Sequence, residues 1–156
     1  LVNADRVFIH AQGHGTAVLE LLDRRLRRSG FATVTLRGRG RELAERVVGL
    51  TVRDALVVIA LRARPRGLAP LLAYAAEAGA ATVLISDVLG PLLRPRPDHV
   101  LAAPRGPEDE FQSLIVPLAI ADALVLSIAR LDGGRSMEAL GRLNGLITRF
   151  EEEDDT

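Results

Sequence analysis

One unit near the amino terminus constrains the fold most: a buried strand, a glycine turn and an amphipathic helix follow one another over residues 7–30. Val7 to Ala11 is a short apolar run typical of a buried strand. Gly13 and Gly15 let the chain turn without a Cβ in the way, and Thr16 offers a hydroxyl for the N-cap of the helix. The helix then carries leucine and valine at helical spacing. The unit is typical of an α/β protein.

The same turn is a candidate anion site. A helix that begins here directs free backbone N–H groups and a partial positive charge at the turn, which favours a phosphate. The alternative is that the turn is only the tight connection that any α/β fold requires. His14 lies inside the turn and is the one plausible general acid or base near it. We interpret His10 as a core or strand-end histidine and His99 as a surface residue.

Strands and helices alternate along the rest of the chain. Asp54 to Leu61 is apolar on both faces, as a central parallel strand must be. Further strands are predicted at residues 32–36, 81–86 and 99–102, and further helices at 42–50, 68–78, 107–131 and 137–150. The helix of residues 107–131 has a proline and acidic residues at its start, and Pro117 is expected to kink or split it. Its apolar residues cover most of its circumference, so it is expected to be deeply buried or shared with a second subunit.

Five strands separated by helices predict a three-layer α-β-α, doubly wound parallel sheet. The order 2-1-3-4-5, as in flavodoxin-like folds, places the two most apolar strands inside. In that order a crevice opens at the carboxyl ends of strands 1 and 3, bordered by the loops of residues 11–16 and 61–67. The second loop carries Arg62, Arg64 and Arg66. The anion-favouring turn therefore lies beside the densest basic loop.

Composition bounds the function. The 156 residues fit a single domain, residues 1–150, followed by an acidic tail, residues 151–156, that we expect to be solvated. The net charge is zero, but residues 1–66 carry +7 and residues 67–156 carry −7, so the first part attracts anions. The chain has no cysteine, which excludes disulfides and thiolate metal sites, and its three scattered histidines argue against a metal site. No apolar run is long enough for a membrane span, and few aromatics argue against direct nucleic-acid binding.

Several stretches carry a resemblance to a known family. They are Arg6–Ile9 with Gly13 and the helix to Gly30, Asp54–Leu61, Ala75–Ser86, Asp87 with Pro91 and Leu92, Asp98–Leu101, and Phe111–Ser113 leading into Leu118–Val125. In order and spacing they are similar to the sugar isomerase (SIS) domain, most closely to the effector-binding domain of RpiR-type bacterial transcription regulators. The resemblance covers nearly the whole chain.

The resemblance implies a phosphorylated sugar, or a similar small anion, as the ligand. It implies a cytoplasmic homodimer or homotetramer that uses the long apolar helix as a contact, and an amino-terminal helix-turn-helix domain, missing from this chain, that binds DNA. Neither a cofactor nor a membrane partner is expected, and no catalytic residue is assigned. Together with the charge pattern, the resemblance gives these candidate ligand-binding residues: Gly13, His14, Gly15, Thr16, Arg62, Arg64, Arg66 and Ser113.

This chain also departs from the family pattern. The first loop of the family typically runs Gly-x-Gly-x-Ser, whereas here Ala11 holds the first glycine position and Thr16 falls one place late. Leu61 and Ala63 stand near the two hydroxyls of the second loop, and Gly90 replaces a third serine. The phosphate site is therefore either rebuilt with arginine or abandoned. The alternatives are a phosphosugar aldose–ketose isomerase and a ligand-free dimerisation module. A nicotinamide site is disfavoured because valine holds the third glycine position of that fingerprint.

Overall fold

A computed structural model of the chain describes residues 1–62, 64–87, 93–107 and 109–154. Ala63, Gly90, Pro91, Leu92 and Glu108 lie outside the described residues. The strands are β1 (Arg6–Ala11), β2 (Ala32–Leu36), β3 (Ala55–Ala60), β4 (Ala81–Ser86) and β5 (His99–Ala102), and the helices are α1 (Gly15–Arg28), α2 (Arg41–Val47), α3 (Leu68–Glu77), α4 (Ile115–Leu131) and α5 (Arg135–Asp154). The strands form a parallel sheet in the order β2-β1-β3-β4-β5. The predicted fold class and strand order are confirmed.

Helices cover both faces of the sheet. Alternate residues of a strand point to opposite faces, so Ile9 joins the apolar cluster under α1 and α4, whereas Phe8 joins the cluster with α2 and α3. All six residues of β3 are buried, because the strand lies in the interior of the sheet and is covered from both sides. This packing fixes the carboxyl ends of β1 and β3 as neighbours.

The start of α1 differs from the prediction. His14 is the N-cap residue, and Thr16 lies inside the first turn, where its Oγ1 donates to the Gly13 carbonyl at 2.7 Å. The close approach of α1 to β3 sets this start: a Cβ on Gly15 would lie 3.2 Å from both Cγ2 and the carbonyl oxygen of Ile59. Glycine is therefore needed at position 15 for packing.

The long apolar helix also begins later than predicted. α4 starts at Ile115, not at residue 107. Pro117 thus falls in the first turn, where the N–H that proline lacks has no intrahelical partner to lose, and the helix runs unbroken to Leu131. The predicted split is wrong. α4 is only partly buried: Pro117, Ala121, Val125 and Ile128 face the core, while Ile115, Leu126 and Leu131 are exposed.

α5 is longer than predicted at both ends. It begins at Arg135, so Ser136 is not its cap residue but lies in its first turn, where the hydroxyl donates to Asp132. It continues through the acidic residues to Asp154, and Glu151 to Glu153 are exposed. Over the described ranges, no helix combines the length and apolar character needed to cross a bilayer.

Candidate functional site

The two loops that the sequence singled out are bonded to each other at the carboxyl ends of β1 and β3. The Oε1 atom of Gln12 accepts a hydrogen bond from the Arg66 amide at 3.2 Å, and its Nε2 donates to the Arg66 carbonyl at 2.9 Å. Gln12 follows β1 directly, so one side chain holds the loop after β3 against the turn that opens α1. We call this end of the sheet the carboxyl edge.

Three guanidinium groups at the carboxyl edge are unpaired. Arg62, Arg64 and Arg66 are exposed, and within the described part of the chain none of their side chains forms an ion pair or hydrogen bond. By contrast, Arg37, which follows β2, is paired with Glu20. The loop therefore offers three positive charges to an anion, while its backbone is held in place.

The backbone of Arg62 is held from the neighbouring strand. Arg62 has a φ of 69°, in the left-handed region that a residue with a Cβ seldom adopts. Its amide donates to both carboxylate oxygens of Asp87, at 2.9 and 3.0 Å. Such a conformation costs about 1 kcal/mol or more and persists where the surroundings impose it. Asp87 thus fixes the point at which the basic loop leaves β3.

Asp87 is itself held by a buried ion pair. Arg105 Nε donates to Asp87 Oδ2 at 2.7 Å, and Nη2 lies 2.5 Å from the same oxygen. The two side chains are 3% and 7% exposed. The Arg105 carbonyl in turn accepts a hydrogen bond from the Ser113 amide at 3.2 Å. A continuous series of contacts therefore joins the ends of β3, β4 and β5 to the segment that leads into α4.

Two buried polar atoms of this region have no hydrogen-bond partner in the described structure. They are Arg105 Nη2, which contacts Asp87 without hydrogen-bond geometry, and Gln112 Oε1. Folded proteins leave few buried polar groups unbonded, and such groups need a specific explanation. Here an unused donor and an unused acceptor belong to the residues that frame the carboxyl edge.

The histidines have different roles. His10 is fully buried in β1 and its Nδ1 lies 2.9 Å from the Leu36 carbonyl. Burial lowers the pKa of His10, and the bond to Leu36 only partly opposes this. The ring is therefore neutral, with Nδ1–H as the donor, as the core interpretation requires. His14 is exposed at the start of α1, and His99 is exposed on β5.

The hydroxyl groups near the site are bonded to the chain. Thr16 donates to Gly13, as described above, and Ser113 Oγ accepts from the Ile115 amide at 3.1 Å at the start of α4. The structure thus brings the Gly13–Thr16 turn and the Arg62–Arg66 loop together and links Ser113 to them through Arg105. The described residues contain no group of three or more histidine and acidic side chains placed to hold a metal ion.

Sequence reasoning missed the residues that organise this site: Gln12 and Arg105 were not singled out, and Asp87 entered only as part of a resemblance. Their position is the signal that could have identified them. Gln12 and Asp87 each follow the last residue of a strand, and Arg105 comes three residues after β5. Polar residues at the carboxyl ends of parallel strands point to the ligand edge of such a sheet.

No protein-family model and no curated protein sequence matches the chain. Solved structures do match it. The sugar isomerase domain of the RpiR transcription factor from Sphaerobacter thermophilus has a TM-score of 0.80 and 25% identity, covering 91% of this chain and 79% of that one. The Vibrio vulnificus NanR protein complexed with ManNAc-6P has a TM-score of 0.71 and 17% identity, covering 95% and 57%. An E. coli CFT073 protein in complex with a phosphosugar has a TM-score of 0.71 and 17% identity, covering 92% and 78%.

The three likenesses extend over nine-tenths or more of this chain, and they agree with its strand order and its layers. They confirm the resemblance that the sequence indicated: this chain has the fold of the sugar isomerase domain.

Proposed function

We propose that this chain is the sensory domain of a transcription regulator and binds a phosphorylated sugar, or a similar small anion, at the carboxyl edge. The ligand lies between the Gly13–Thr16 turn and the Arg62–Arg66 loop. One observation carries the proposal: three unpaired guanidinium groups belong to a loop that Gln12 bonds to the start of α1. The likeness to an RpiR transcription factor and to two proteins complexed with phosphosugars supports this assignment.

Two sources of positive charge act on the phosphate in this proposal. The amino terminus of α1 supplies backbone N–H groups and the positive end of the helix dipole. The arginines supply planar guanidinium groups that can bind two phosphate oxygens at once. Each charge-assisted hydrogen bond contributes about 1.5 to 3 kcal/mol, so arginine can replace hydroxyl groups that the family pattern expects. The phosphate site is rebuilt rather than abandoned.

Ligand binding would be read by a second domain. A sugar phosphate that contacts both loops ties the end of β1 to the end of β3, and the series of contacts through Asp87 and Arg105 extends this coupling to the start of α4. In the proposal, a homodimer or homotetramer transmits the change to a DNA-binding domain that precedes Leu1. The coupling requires the ligand to favour one subunit arrangement over another.

Binding without turnover is favoured over isomerase activity. An aldose–ketose isomerase needs a base that can reach a sugar C–H bond. Asp87, the carboxylate described at this edge, is already bonded to Arg105 and to the Arg62 amide. His14 is exposed and remains the candidate base that an experiment must test.

The test is a thermal-shift and calorimetric panel of hexose and pentose phosphates, including ManNAc-6P, each paired with its unphosphorylated sugar. At least one sugar phosphate should stabilise the chain saturably, whereas its free sugar should not. Replacing Arg62, Arg64 and Arg66 by alanine should abolish the shift. The matched control replaces Arg46, Arg53 and Arg96, which are exposed elsewhere, and should retain it.

Two results would contradict the proposal. If no sugar phosphate at millimolar concentration stabilises the chain, the ligand-free dimerisation module is correct. If a sugar phosphate is converted, and His14→Ala abolishes the conversion without abolishing binding, the chain is an isomerase.

A further inference from the structure

The second half of α5 has an apolar face that no described residue covers. The helix is anchored at its start, where Arg135 Nη2 donates to the Gly30 carbonyl at 3.0 Å and the Arg135 guanidinium lies 4.1 Å from the Phe31 ring centre. From Asn144 to Glu153, by contrast, every residue is exposed. This exposed segment, which we call the α5 arm, includes Leu146, Ile147 and Phe150, the last 66% exposed.

An arm of this kind needs a partner. Isolated helical segments of about ten residues are marginal in water, and helices in proteins owe most of their stability to packing of an apolar face. Large exposed apolar side chains that lie side by side mark an interaction surface. The arm repeats its apolar residues at helical spacing, so they form one continuous stripe.

Charge is divided along the arm. A groove of about 640 Å³ lies between α1 and the arm, and its lining includes Arg24, Arg28, Arg142, Leu143, Leu146 and Ile147. In the described chain Arg24, Arg28 and Arg142 have no acidic partner. The far end of the same arm carries Glu151 and Glu153. One surface therefore presents a basic end, an apolar middle and an acidic end.

We propose that a second copy of this chain covers the arm, with the two α5 helices antiparallel about a two-fold axis between Leu146 and Ile147. In that register Ile147 of one copy lies opposite Leu146 of the other, Phe150 opposite Leu143, and Glu151 opposite Arg142. A two-fold axis repeats each contact, so two apolar pairs and one charge pair are each formed twice. The acidic end then points toward the arginines of the partner groove.

A second copy fits this surface better than other partners do. An acidic protein would match the basic groove but leave the acidic end of the arm unpaired, and a nucleic acid would be repelled by that end. Only a partner with the same charge order, reversed in direction, satisfies both ends, and the chain itself has this order. The pairing does not depend on ligand binding at the carboxyl edge.

The test is sedimentation equilibrium of the 156-residue chain with charge-reversed variants. The wild type should dimerise, and Arg142→Glu and Glu151→Arg should each weaken the dimer roughly tenfold, because each reversal creates two like-charge contacts. The double variant Arg142→Glu/Glu151→Arg should restore wild-type affinity. Arg130→Glu, a matched reversal on exposed α4, should have little effect. Circular dichroism checks that each variant is folded.

Cysteine crosslinking gives a second readout, since the chain has no cysteine. Under mild oxidation, Ile147→Cys should form a covalent dimer because it lies next to the axis, and Met137→Cys, exposed at the other end of α5, should not. A monomeric wild type would overturn the proposal. So would a dimer that survives both reversals on α5 and is lost with Arg130→Glu, which would assign the contact to α4.

Discussion

At the amino edge of the sheet, where the strands begin, charged side chains bond one another; at the carboxyl edge three arginines do not. Arg6 donates from Nε and Nη2 to Asp54, at 2.9 and 2.8 Å, and Asp54 also accepts from the amide and hydroxyl of Thr51, both at 2.8 Å. Likewise, Asp98 accepts from the amide and hydroxyl of Thr82, at 2.7 and 2.8 Å. These charges close the structure on itself.

The ionisation of these groups reflects their bonding. Burial raises the pKa of Asp54, but the hydrogen bonds from Arg6 and Thr51 outweigh it, so the net shift is downward. The hydrogen bonds from Thr82 lower the pKa of Asp98. At the carboxyl edge neighbouring residues hold the loop backbones instead, through Gln12 and Asp87, and leave the guanidinium groups without a partner. Charge stabilises the fold at one edge and is available to a ligand at the other.

The largest effect is expected where both functions meet. Asp87→Ala should lower the free energy of unfolding by about 4 kcal/mol, because it leaves Arg105 buried without a counter-charge. It should also weaken ligand binding, because the Arg62 amide loses its acceptor. Denaturant unfolding and calorimetric titration measure the two effects. Asp87→Asn, which keeps an acceptor oxygen but loses the charge, should be milder in both. Unchanged ligand affinity in Asp87→Ala would separate this pair from the site.

A slightly smaller loss of stability, without loss of binding, is expected at the amino edge. Asp54→Ala should lower the free energy of unfolding by about 3 kcal/mol, since Arg6 and Thr51 lose their shared acceptor. Urea titration measures the loss, and calorimetry below the unfolding transition should give wild-type affinity for the sugar phosphate. A change in affinity comparable to that of Asp87→Ala would remove the distinction between the two edges.

Gln12→Ala should affect binding more than stability. The free energy of unfolding should fall by about 1 kcal/mol, because the two bonds to Arg66 are exposed. Ligand affinity should fall roughly tenfold, because the basic loop is no longer held against α1. The control is Gln112→Ala, which shares the residue type and lies near Ser113. If Gln12→Ala binds as the wild type does, the bond between the loops is not needed for recognition.

The smallest effect concerns acid. The folded pKa of His10 lies below that of the unfolded chain, so the unfolded chain gains a proton that the folded chain resists. Stability should therefore decline as the pH falls below about 6.5, by on the order of 1 kcal/mol. Asp54 and Asp98, whose folded pKa values are lowered, add a further loss only near and below about pH 4. His10→Phe should remove the first decline and keep the second, whereas the exposed control His99→Gln should keep both.

The sequence was sufficient for the layers, the strand order and the juxtaposition of the two loops, because these follow from apolar runs and glycine turns. It placed β2 and β5 at their observed ends. It failed at the start of α4, where Pro107 and its acidic neighbours have the local features of a helix start. There the Ser113 amide bonds to Arg105 instead, and α4 begins at Ile115. That choice depends on a distant contact, which local patterns do not contain.

The same reason explains the incomplete site. Asp87 and Arg105 are separated by 18 positions, and Gln12 and Arg66 by 54, so only the chain path brings each pair together. The acidic residues after Phe150 were expected to form a tail, but they extend α5. Glutamate is a good helix former, and no proline or glycine interrupts the run.

The most direct test of the account is an NMR titration of backbone amides with the sugar phosphate that gives the largest thermal shift. The account predicts that signals from Gly13–Thr16 and from Arg62–Gly67 move together and saturate at the same ligand concentration, because one ligand contacts both loops. Inorganic phosphate should move the same signals more weakly. Shifts confined to the arginines between α1 and α5, or to only one of the two loops, would contradict it.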